Sequence, residues 1–72
     1  MKSIERVAFY NKEDELTDLL VIGLNGVADI IEPYHNPYYF YAYDAQDLQI
    51  RVVKNTYKVV VTYSEMNSYE VD

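Results

Sequence analysis

The stretch NKEDELTDLLVIGLNGV, residues 11–27, decides the fold, because it can be read either as a helix or as an extended strand. Wound up, it places Leu16, Leu19, Leu20, Gly23 and Val27 at helical spacing. Asn11 then stands as an N-cap, and Glu13, Asp14 and Glu15 complement the positive end of the helix dipole. Asn25-Gly26 supplies a left-handed C-cap. This reading predicts a helix over residues 12–24. The competing reading makes Leu19-Leu20-Val21-Ile22 a strand and Leu24-Asn25-Gly26 a hairpin turn, and the domain becomes all-β.

Before this stretch, Ile4 to Tyr10 reads as a strand with Val7 and Phe9 on one side and Ile4 and Ala8 on the other. After it, Val27 to Glu32 reads as a strand stopped by Pro33, and Pro33-Tyr34-His35-Asn36-Pro37 as a rigid loop. Tyr38 to Tyr43 is an aromatic strand. Further on, Leu48–Val53 and Tyr57–Tyr63 form a predicted hairpin around Asn55-Thr56, with Val52 facing Val59, Ile50 facing Val61 and Leu48 facing Tyr63 on one apolar side. The loop Asp44-Ala45-Gln46-Asp47 leaves two parities open. An even loop puts Tyr39, Tyr41 and Tyr43 on the Leu48, Ile50 and Val52 side, and an odd one puts Tyr38, Phe40 and Ala42 there. No repeat or linker divides the chain. The expected architecture is α+β, a small, mainly antiparallel sheet of about four or five strands with the helix on one face, in a single domain over residues 1–72 whose end, residues 66–72, frays.

Composition narrows the function classes. At 72 residues, only about 60–65% of the unfolded surface can be buried on folding. Cysteine is absent, which excludes disulfides, thiolate zinc sites and thiol nucleophiles and points to a reducing cytoplasm, including that of a host cell. No stretch reaches the ~18 apolar residues of a membrane-spanning helix. The net charge of −6 repels phosphate backbones, so direct nucleic-acid binding is disfavoured. The cations are dispersed, with Arg51 and Lys58 expected to share a sheet face.

No enzyme signature emerges. His35 is the sole histidine, and a metal site needs three or four ligands where only Glu32 stands near it. A hydrolase pairing a carboxylate with His35 lacks material for a cleft. The glycines form no phosphate loop, and no cofactor is implied.

The nine tyrosines point instead to contact with a protein, because tyrosine combines a stiff apolar body with a polar tip. Tyr34, Tyr38, Tyr39, Tyr41 and Tyr43 carry too many hydroxyls to bury without partners. With the carboxylates Glu13, Asp14, Glu15, Asp18, Asp44 and Asp47, they form the candidate partner-binding set. Glu13–Glu15 also have a simpler role as helix-start residues, and the tyrosines as core. The expected function is that of a small acidic, non-enzymatic binding module that occupies a basic, nucleic-acid-binding surface of a larger protein. Its size and composition are analogous to inhibitors carried by phages and mobile elements. The alternative is a structural homo-oligomer, in the simplest case a homodimer, that associates through its tyrosines or strand edges.

Overall fold

The computed structural model describes residues 2–31 and 39–65, without the side chains of Lys2 and Glu65. Among them the chain is all-β, and no helix is present. The strands are β1 (Lys2–Tyr10), β2 (Leu16–Val21), β3 (Asp29–Ile31), β4 (Tyr39–Tyr43), β5 (Gln49–Lys54) and β6 (Lys58–Glu65). They form two antiparallel sheets, ordered β2-β1-β6 and β3-β4-β5. The expected α+β class, with its helix at 12–24, is therefore overturned in favour of the all-β alternative. No helix among the described residues is long and apolar enough to cross a membrane. The proposed loop at 33–37, with Tyr34 and His35, lies outside the described residues, as do Tyr38 and the tail from residue 66.

Asn11 explains the choice between helix and strand. Its Oδ1 accepts the N–H of Glu13 at 3.0 Å, as a helix N-cap would, but its second donor is the N–H of Glu15 at 3.0 Å. That geometry requires the chain to turn back, and it does so at Asp14, whose φ of 66° lies in the left-handed region. Residues 11–15 thus close a loop between β1 and β2, with the Asn11 N–H on the Glu15 carbonyl at 3.0 Å. Asn25-Gly26 is left-handed as the sequence suggests, with φ of 56° and 81°. These two residues are the centre of a tight turn in which the Val27 N–H donates to the Leu24 carbonyl at 3.2 Å.

The second hairpin, β4–β5, repeats the first with a shift of 33 residues (11 to 44). Asp44 Oδ1 accepts the N–H groups of Gln46 and Leu48, both at 2.9 Å, and Asp47 has φ 66°. Every register pair has its counterpart: Arg6–Val21 with Tyr39–Lys54, Val7–Leu20 with Phe40–Val53, Ala8–Leu19 with Tyr41–Val52, Phe9–Asp18 with Ala42–Arg51, and Tyr10–Leu16 with Tyr43–Gln49. The bulge before the loop recurs as well, between Phe9 and Tyr10 and between Ala42 and Tyr43. The third strands also correspond. Asp29, Ile30 and Ile31 face Tyr43, Ala42 and Tyr41, while Lys58, Val59 and Val60 face Tyr10, Phe9 and Ala8. The chain is a structural duplication in which each half lends its third strand to the other half's hairpin. The sequence reading found no repeat because only Tyr10/Tyr43 and Asp14/Asp47 are identical between the matched hairpin residues.

This exchange overturns the predicted β5–β6 hairpin. β5 pairs with β4 and β6 pairs with β1, and residues 55–57 carry the chain from one sheet to the other. Val52 faces Tyr41 rather than Val59. The expectation that Arg51 and Lys58 share a face fails with it, because the two residues belong to different sheets.

The core lies between the sheets. Val7, Phe9 and Leu20 come from the first sheet, and Ile30, Phe40, Ala42 and Val53 from the second, with Val27 from the link between β2 and β3. Phe9 and Phe40 meet edge to face, with ring centroids 5.5 Å apart and planes at 78°. Ile4 packs on this cluster as well. It was expected on the opposite side from Val7 and Phe9, but a register shift between Ile4 and Arg6 inserts Glu5 and turns Ile4 inward.

Two predictions follow from the duplication and the core. Asp47→Gly should stabilise the protein by roughly 0.5–1 kcal/mol in urea unfolding, because glycine relieves the left-handed strain, and Asp14→Gly should gain less because it also loses the Lys58 pair, whereas Asn11→Ala and Asp44→Ala should each destabilise it by about 1 kcal/mol. Phe40→Ala should cost about 3–5 kcal/mol, while Tyr41→Ala on the other side of the same strand should cost about 1 kcal/mol. Equal costs at residues 40 and 41 would contradict the assignment of inner and outer faces.

Candidate functional site

β4 is the central strand of its sheet, with Phe40 and Ala42 buried in the core. Strand alternation then places Tyr39, Tyr41 and Tyr43 on the outer face, each half-buried. Tyr41 sits between Ile31 and Val52, which are 44% and 46% exposed, and Tyr43 sits between Asp29 and Gln49. At the other end, the Lys54 ammonium lies over the Tyr39 ring, 5.9 Å from its centroid. Ile50 and Leu48 add apolar surface, Leu48 being 64% exposed. Neither parity holds along the whole strand: Tyr43 faces Gln49 rather than Leu48, and the bulge that skips Ile50 then sets Tyr41 opposite Val52 on one face. That face is the outside, and Phe40 fills the core.

The structure separates the candidate carboxylates and gives most of them local work. Asp44 is engaged by the two backbone N–H groups of its own loop. The Glu15 carboxylate accepts the Asn11 side-chain amide at 3.0 Å, and Asp14 pairs with Lys58, which also lies 4.8 Å from the Tyr10 ring centroid. The Asp14 hydrogen bond is the leading cause that raises the Lys58 pKa. Glu13 and Asp47 stand on the two loops with no ion pair among the described residues. The loops are held apart. Ile22 N–H donates to Glu5 at 3.0 Å and Ala28 N–H to Tyr43 at 2.7 Å, so the open end of the first hairpin lies beside the second loop. Residues 55–57 likewise join Lys54, opposite Tyr39, to Lys58, opposite Tyr10.

Asp18 has a structural partner that the sequence reading missed. It alternates onto the inner side of β2, and Arg51, its counterpart in the duplicated hairpin, meets it across the two sheets at 2.6 Å. The signal was present in the 33-residue spacing of Asp18 and Arg51, but it has meaning only once the repeat is seen. Burial raises the Asp18 pKa, but the hydrogen bonds from the Arg51 guanidinium and the Leu19 N–H, together with the Arg51 charge, outweigh it and hold the carboxyl below its ordinary 3.8.

Among the described residues, no group of three or more His, Asp or Glu side chains is placed to hold a metal ion. No protein-family model matches the chain, and no curated protein or solved structure is detectably similar to it.

The ion pair gives a pH prediction. A carboxyl whose folded pKa is depressed contributes stability above its unfolded pKa and loses it as pH falls through the folded value. Wild type should therefore exceed Arg51→Met in stability by about 1 kcal/mol or less at neutral pH, since the pair is partly exposed. The difference should shrink below the ordinary aspartate value of 3.8 and vanish in stronger acid. Urea midpoints measured across that range check this, and a difference that persists unchanged would remove the pair from the account.

Proposed function

We propose that this chain is a non-enzymatic protein-binding module whose contact surface is the outer face of the β3-β4-β5 sheet, and that its partner presents a basic surface. The observation that carries the reading is the row Ile31–Tyr41–Val52, flanked by Tyr39 and Tyr43, on a face that no other described element covers. Aromatic residues framed by exposed aliphatic side chains make the kind of centre on which binding energy concentrates. The net charge of −6 supplies long-range attraction to a cationic partner, including a nucleic-acid-processing protein, and opposes direct binding of nucleic acid. The carboxylates act here mainly through their summed field, since Asp14, Glu15, Asp18 and Asp44 are engaged within the fold. The lack of cysteine suits a reducing compartment such as the cytoplasm.

Affinity capture from a lysate of the source cells, with wild type and Tyr41→Ala in parallel, tests the reading. Wild type should retain one stoichiometric protein at low salt and release much of it at high salt. Tyr41→Ala should weaken that binding by roughly thirtyfold, about 2 kcal/mol. Capture that is indifferent to salt would remove electrostatic steering. Capture of no partner, with a discrete oligomer in light scattering, would replace the reading with self-association.

A further inference from the structure

Beside the tyrosine face, where the two sheets meet, the surface opens into a cavity of about 310 Å³. Ile4 at the start of β1, Ile22 just beyond β2 and Ala28 just before β3 supply its apolar wall. Ser3 and Ser64, whose hydroxyls are 3.3 Å apart across the β1–β6 pair, and the acidic residues Glu5 and Asp29 complete its lining. The construction follows from features already described. The bulge that turns Ile4 inward inserts Glu5 at this point, and the link that leaves β2 brings Ala28 against Tyr43. Asp29, one residue later, stands beside Tyr43 in the register of the outer face. Asp29 thus belongs both to the lining of the cavity and to the margin of the tyrosine row.

Its chemistry is selective. One Asp29 oxygen accepts the Ile30 N–H at 2.9 Å, and neither Asp29 nor Glu5 forms an ion pair among the described residues. Two carboxylates and two hydroxyls can accept hydrogen bonds from a cation, while the isoleucines and Ala28 offer contact to an aliphatic stem. A lysine or arginine side chain has that composition, an apolar stem ending in a cationic donor. An anionic group would meet two like charges, and a purely apolar group would strip water from the carboxylates and hydroxyls without replacing their hydrogen bonds.

The geometry points to this cavity as the seat for a lysine or arginine side chain of the protein that docks on the tyrosine face. The inference rests on that docking reading and adds to it the anchoring group that the partner brings. It places the electrostatic specificity at Glu5 and Asp29, neither of which is in the candidate partner-binding set.

The test is a titration of the full chain with N-acetyl-arginine methylamide and N-acetyl-lysine methylamide, followed by amide shifts in two-dimensional NMR, with the neutral citrulline analogue as control. At least one cation should give saturable shifts at Ser3, Glu5, Ala28, Asp29 and Ser64, and citrulline should not. The double variant Glu5→Gln/Asp29→Asn keeps an oxygen for the Ile30 N–H, should melt as wild type does, and should weaken cation binding by about tenfold. No saturable shift with either cation, equal shifts with citrulline, or undiminished binding in the double variant would each overturn the assignment. The titration reads the cavity without a partner, whereas capture with Tyr41→Ala reads the face, so the failure of one is distinguishable from the failure of the other. A partner lost by Tyr41→Ala but bound fully by the double variant would likewise remove the cavity from the interface.

Discussion

The exchange of third strands governs the rest of this molecule. β3 follows the first hairpin but hydrogen-bonds to the second, and β6 follows the second but hydrogen-bonds to the first. A two-stranded hairpin is marginal in water, and a third strand with a hydrophobic face is what makes a sheet persist. Neither half supplies its own third strand in place, so the two sheets stand or fall together. The exchange also brings the inner faces together, with Phe9 of one half against Phe40 of the other. With no disulfide possible in 72 residues, this mutual completion and the shared core are the main sources of cooperativity.

The same constraint decides what the surface offers. Because β5 belongs with β4, the side of β5 carrying Val52 becomes the outside of a sheet, and it carries Tyr39, Tyr41 and Tyr43 with it. The outer face of the other sheet has the same central row with different residues: Val60, Ala8 and Leu19 stand where Ile31, Tyr41 and Val52 do. Ala8 is fully buried between its neighbours, while Tyr41 projects enough to remain half-exposed. The two sheets share one backbone plan and carry different outer faces. The aromatic face is the one suited to contact.

The strands were legible where alternation was strong. Val7 and Phe9 on one side of β1, the aromatic β4, the turn at Asp44 and the left-handed backbone of Asn25-Gly26 could be read from residue type. The helix at 12–24 failed because Asn11 is equally suited to an N-cap and to a tight loop, and the left-handed Asp14 that decides between them is invisible in the sequence. The β5–β6 pairing failed for another reason. Two apolar strands separated by a short polar link usually pair, and parity within them is satisfied equally well when each pairs elsewhere. Inside and outside were thereby exchanged for β5, while Phe40 and the tyrosines could not be assigned because residue type fixes neither the length of the Asp44 loop nor the bulge beside it. The cavity was illegible because Ser3, Glu5, Asp29 and Ser64 meet only through the exchange.

Cross-strand backbone NOEs provide the most direct test of that exchange. Strand exchange predicts contacts from Val60 to Ala8 and from Val61 to Val7, together with contacts from Val52 to Tyr41. Contacts from Val52 to Val59 and from Ile50 to Val61, with none from β6 to β1, would contradict it and return the tyrosine strand's outer face to the interior.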